Sequence, residues 1–144
     1  MRKVVSVPRG STMTLGTVEG DLYLSEGATV KAEGLAEKVS VSGLVRCDGD
    51  CTFECGLTAD SLRGKRGTVT VRGDLSITRS IRIDRGHLVV EGDVSADTIE
   101  VDRSASVGKN LTAKNVQVGG KLKVEGNTKA EEQMWGGPFN LVGT

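Results

Sequence analysis

Apolar residues recur along this chain in short pairs at i and i+2, set apart by polar positions and by corners of Gly, Asp and Asn. Residues 69–86, VTVRGDLSITRSIRIDRG, carry Val69 with Val71, Leu75 with Ile77 and Ile81 with Ile83. The next stretch, 88–104, gives Leu88 with Val90, Val94 with Ala96 and Ile99 with Val101. Residues 105–121 follow with Ala105 and Val107, Leu111 and Ala113, Val116 and Val118, before LKVEGNTKA opens a further copy. A spacing of two is the period of a strand, not the 3.6 of a helix. Three short strands per repeat, each turning alternate side chains inward, predict a triangular coil of about 17 to 19 residues.

The first half follows the same grammar less regularly. Residues 18–34, VEGDLYLSEGATVKAEG, place Leu22 with Leu24 and Ala28 with Val30. Val39 and Val41 then open a coil that runs through Val45, Cys47, Cys51, Phe53 and Cys55. Leu57, Ala59 and Leu62 precede a Gly-rich basic corner. The coil register between residues 32 and 66 stays open on pattern alone. The predicted fold is all-β: a single-stranded parallel β-helix, or solenoid, of about six to seven coils over residues 15–126. Residues 1–14 are expected to form an N-terminal arm or cap, and 127–144 a C-terminal tail or cap.

Between the pairs stand Gly73 and Asp74, Gly92 and Asp93, Lys109 and Asn110, and Gly126 and Asn127. These residue types suit sharp corners. At the repeat spacing, Asp74, Asp93, Asn110 and Asn127 should stack in a column, with side-chain amides bonding one another. Such a coil does not stand alone. Ordering its backbone costs roughly 1 to 2 kcal/mol per residue, and six buried aliphatic side chains return only about 1.5 to 3 kcal/mol each. Stability therefore comes from stacking, and the two ends are the weak points.

Composition narrows the function. The chain has 144 residues, enough for one domain, with 19 basic residues against 19 acidic ones. No net field draws it toward nucleic acid or opposes contact between copies. No apolar stretch approaches the length of a membrane span and no leader segment opens the chain, so a cytoplasmic protein is expected. Arg2, Lys3 and Arg9 make residues 1–14 mildly basic, the place where membrane association would occur.

The run ADTIEVDRSASVGKNLTAKNVQVGGKLKVEG, residues 96–126, resembles the bactofilins, polymer-forming bacterial cytoskeletal proteins built on a right-handed parallel β-helix of similar coil length. The resemblance is strongest over residues 69–126 and extends back toward residue 15. It implies a homo-oligomer or filament that grows through the open helix ends without a nucleotide, often attached to the membrane by an N-terminal tail.

Candidate chemistry is sparse. Cys47, Cys51 and Cys55 fall within nine residues, and thiolates are soft ligands for zinc or an iron–sulfur cluster. If all lay on one strand, Cys51 and Cys55 would be about 13 Å apart, so core packing is the favoured reading. His87, the only histidine, cannot supply the three-His zinc site of a carbonic-anhydrase-type β-helix, although one histidine would serve a trimeric acyltransferase-type enzyme as a base. The run Arg63, Gly64, Lys65, Arg66 is a basic patch with phosphate or anionic lipid as its functional partner and a solvated loop as its default. It lacks the Ser or Thr of a phosphate-binding loop. Asn110-Leu111-Thr112 spells a glycosylation acceptor only for a secreted protein, and the Gly-Asp corners lack the full nonapeptide calcium motif. Trp135, Phe139 and Leu141 are the candidate self-association residues. No catalytic or cofactor-binding residues stand out. A structural, non-enzymatic subunit is expected, with the acyltransferase-type enzyme and a cysteine-based metal module as alternatives.

Overall fold

The computed structural model describes the backbone of residues 3–135 and 139–141 and the side chains of residues 3–130. Every regular element described is a β-strand, and every pairing is parallel. The strands wind into three ladders. One face stacks β1 (Lys3–Val7), β4 (Gly20–Leu24), β7 (Leu44–Asp48), β10 (Ser61–Lys65) and β13 (Ser80–Asp84). The later parts of β15 (Val94–Val101), β17 (Leu111–Val118) and β19 (Thr128–Trp135) continue it. The second face is an 8-stranded ladder of β2 (Thr12–Leu15), β5 (Thr29–Ala32), β8 (Cys51–Phe53), β11 (Thr68–Val71), β14 (His87–Val90), β16 (Ser104–Val107), β18 (Leu122–Val124) and β20 (Phe139–Leu141). The third stacks β3 (Thr17–Val18), β6 (Lys38–Val41), β9 (Gly56–Ala59) and β12 (Leu75–Ile77) with the opening residues of β15, β17 and β19.

One strand of the second face per turn makes a solenoid of eight turns, where the apolar pairs alone count six to seven. The difference lies at the ends. Strand β1 and all but the last residue of β2 fall within the segment expected as an arm or cap, and they pair with β4 and β5. The ladders also run on past residue 126 through β19 and β20. Sequence separation between stacked residues is 17 to 19 in most turns. One step breaks the period: Asp21 and Leu44 meet across 23 positions. The extra residues leave the coil between β5 and β6, where Gly34 takes a φ of 53° and Leu35 is fully exposed. This loop is what hid the register from residue 32 onward.

Every inward pair the pattern predicts is buried. From Val7 to Val124 the interior is one continuous column of Val, Leu, Ile, Ala and Cys, with Phe53 among its largest fully buried side chains. Shape complementarity between turns shows at Gly64. A Cβ there would lie 2.8 Å from Ile83 Cδ1 and 2.9 Å from Val69 Cγ2, so larger neighbours fill its space.

The predicted polar column forms with a different bonding pattern. The side chain of each residue accepts from the backbone of the next turn: Asp93 N–H donates to Asp74 Oδ1 at 2.8 Å, Asn110 N–H to Asp93 Oδ1 at 2.9 Å and Asn127 N–H to Asn110 Oδ1 at 2.9 Å. Corner amides fall outside the regular ladders, and the column supplies their acceptors. This explains why both Asp and Asn serve in the column, since only the oxygen is used. Asp93→Ala is expected to lower stability by about 0.5 to 1.5 kcal/mol, the worth of one such bond. Urea unfolding checks this, and Asp93→Asn, which keeps the acceptor, should lie close to wild type.

Candidate functional site

The cysteines occupy a corner and its flanks. Cys47 ends the inward row of β7, Cys51 opens β8 after a short corner, and Cys55 lies past the end of β8, so the three do not share a strand. All three are free thiols, exposed by 0, 2 and 6% respectively. Cys51 Sγ points at the Ser25 carbonyl 3.6 Å away and the Asp48 carbonyl 3.8 Å away. A hydrogen bond with Cys51, reinforced by burial, holds the Cys47 thiol well above the usual thiol range. Burial also raises Cys55, against the lowering effect of a backbone bond from Val39. Metal binding needs the thiolate, and both groups are biased toward the thiol. Among the described residues no group of three or more His, Cys, Asp or Glu side chains is arranged to hold a metal ion. The cysteines pack here as small apolar side chains.

A pH dependence follows. The folded state keeps Cys47 protonated while the unfolded chain ionises near about pH 8.5. The unfolded state then binds fewer protons, so stability falls as pH rises above that value and is unaffected below it. Urea midpoints measured from pH 7 to 10 should decline more steeply for wild type than for Cys47→Ala. Parallel declines would show that Cys47 is not the group responsible.

The structure divides the basic run at residues 63–66. Gly64 is buried, whereas Arg63 lies on the outside of the first face in register with Arg46 and Arg82. Those two neighbours are engaged: Arg46 sits 5.9 Å over the Tyr23 ring, and Arg82 pairs with Asp84 at 3.3 Å and Glu100 at 3.9 Å. Lys65 is in register with Asp48 and Asp84. Arg66 stands apart, on the corner that joins the first face to the second.

At that corner Arg66 and Arg85 stack one turn apart, and Arg103 follows on the next. Together with Asp50, Thr68 and His87 they border an open hollow of about 430 Å³. His87, half-buried at the start of β14, shares a hydrogen bond through Nδ1 with Ser104 Oγ of the next turn. Arg85 and Arg103 were not expected here. Arg85 shares the dipeptide Arg-Gly with Arg66, at 85–86 and 66–67, whereas Arg103 is followed by Ser104 and carries no such signal.

Of the terminal residues, Arg9 pairs with Glu26 at 3.5 Å, Lys3 begins β1 and Arg2 lies outside the described residues. By backbone register Trp135, Phe139 and Leu141 stand opposite Val118, Leu122 and Val124. Their side chains lie outside the described residues. No described helix is long and apolar enough to cross a membrane.

The later turns of this all-parallel solenoid are its most regular. Residues 65–135 match the bactofilin family, described as polymer-forming cytoskeletal. The matched span runs from the end of β10 to the end of β19 and contains the whole of the 96–126 run that first carried the resemblance. The turns before it continue the same parallel ladders without falling inside the match. No curated protein and no solved structure matches the chain.

Proposed function

We propose that this protein is a structural polymer subunit that assembles with copies of itself through the ends of its solenoid and needs no nucleotide to do so. The observation that carries this reading is the state of the first turn. Strands β1, β2 and β3 each have a neighbour on one side only, so the backbone donors and acceptors on their outer sides face away from the ladder. Parallel edges of this kind are templates for a further strand. Most natural sheets blunt such an edge, and a solenoid that polymerises uses it.

Two further features favour the reading. The matched family is described as polymer-forming. Net charge is zero, so copies do not repel one another at long range. An acyltransferase-type enzyme draws little support, since His87 is bonded to Ser104 and surrounded by guanidinium groups. Membrane contact through the N-terminal segment is also weakly supported, because Arg9 is already engaged by Glu26.

Light scattering across a concentration series, with negative-stain microscopy of the same samples, tests the proposal. The expected result is growth in size with concentration and filaments in nucleotide-free buffer. A monomer or a closed trimer at every concentration would overturn it.

A further inference from the structure

The corner arginines hold together a set of observations that assembly through the ends does not use. Arg66 and Arg85 have φ angles of 58° and 56°, in the left-handed region. The equivalent residue one turn earlier is Gly49, with a φ of 77°. Glycine adopts this backbone freely, whereas a side chain there is strained. Two successive turns therefore place a long cation where glycine would serve the corner better, and strain of this kind gathers at functional sites.

The charges are also left open. Among the described residues, the guanidinium groups of Arg66, Arg85 and Arg103 make no ion pair and no side-chain hydrogen bond. Carboxylates are near, but each has another partner. Asp50 Oδ1 accepts the Thr68 N–H at 2.7 Å, Asp102 Oδ2 accepts the Arg85 N–H at 2.8 Å, and Asp84 is held by Arg82. Adjacent turns are about 4.8 Å apart, so the three arginines are rooted within about 10 Å along the corner. Like charges at that spacing repel, and an anion between them relieves the repulsion. Planar guanidinium groups suit phosphate oxygens because each can donate two parallel bonds. His87, fixed through Nδ1 to Ser104, leaves Nε2 for a further contact.

We infer that Arg66, Arg85 and Arg103, with His87, form a binding site for a phosphate-class oxyanion. The shared chemistry is the phosphate group, presented either by a soluble diphosphate or by an anionic lipid headgroup. The site lies within one chain, on the lateral surface of the solenoid, so it stands or falls separately from assembly through the ends.

The test uses the full chain and the double variant Arg66→Gly/Arg85→Gly. Glycine fits the left-handed backbone at both positions, so the variant should fold with a Tm at least as high as wild type. Binding of inorganic diphosphate is followed by calorimetry at low salt, and binding to phosphatidylcholine vesicles with and without phosphatidylglycerol by sedimentation. The expected result is binding in at least one arm that the double variant weakens by about tenfold or more. Diphosphate binding assigns a soluble ligand, and binding only to vesicles containing phosphatidylglycerol assigns a lipid headgroup. No binding in either arm, or a loss smaller than tenfold in both, overturns the inference.

Discussion

Replacing Phe53 with alanine is expected to destabilise the protein by about 3 to 5 kcal/mol, the usual range for removing a buried aromatic side chain. Phe53 is completely buried at the end of β8, in register with Val30 on the turn before and Val71 on the turn after. Its ring fills the interior just beyond the step where the coil period lengthens to 23 residues. Turns in a solenoid are stabilised by nearest neighbours, so a cavity here weakens the coupling between the N-terminal turns and the rest. Urea unfolding should therefore show a lower midpoint and a shallower transition, as the two parts cease to unfold together. A loss below about 1 kcal/mol would mean that neighbouring turns collapse into the vacated space.

The fold was legible in the sequence because its signals are local and repeated. Pairs such as Leu75 with Ile77 and Ile81 with Ile83 announce strands, and Gly-Asp corners mark where those strands stop. Ladder contacts then follow from the period alone, which places Asp74, Asp93 and Asn110 in one column. Two features escaped for physical reasons. The loop between β5 and β6 adds residues without adding an inward pair, so it shifts the register while leaving no apolar signature. The first turn carries its inward residues, Val5, Val7, Met13 and Leu15, without the Gly-Asp corner that marks the later turns, so on pattern alone it reads as an arm.

The candidate site was less legible. Its arginines lie 18 or 19 residues apart in sequence, Arg85 and Arg103 each after an aspartate and Arg66 after Lys65. Only the stacking of corners brings them together. The cysteines show the reverse effect. Their closeness in sequence admits a shared ligand, with core packing as the favoured reading; Cys47 and Cys51 do meet across the corner at residues 48–50, hydrogen-bonded to each other, while Cys55 lies past the end of β8, and all three are buried.

Gly86→Val is expected to be at least as damaging as loss of Phe53, for the opposite reason. Gly86 is buried and follows the left-handed Arg85, but its own φ is not in the left-handed region, so backbone conformation does not exclude valine. Space does. A Cβ at Gly86 would lie 2.1 Å from the Gly67 carbonyl oxygen, and one at Gly67 would lie 2.3 Å from the Gly49 carbonyl carbon. The contact is with backbone on the neighbouring turn, which cannot rotate aside as a side chain can. To accept the valine the two turns must separate, which breaks ladder bonds such as His87 N–H to Gly67 O at 3.0 Å and unseats Leu88 from the core. Overpacking in an interior costs about 1 to 3 kcal/mol when side chains can adjust. With backbone as the obstacle, a loss of about 3 kcal/mol or more is expected. Circular dichroism and thermal melting of Gly86→Val beside Arg85→Gly separate the two effects at this corner. The valine variant should lose its cooperative melt or show a much lower Tm, while the glycine variant melts at or above wild type. Equal Tm values for Gly86→Val and wild type would show that the turns are not stacked at backbone distance along this edge.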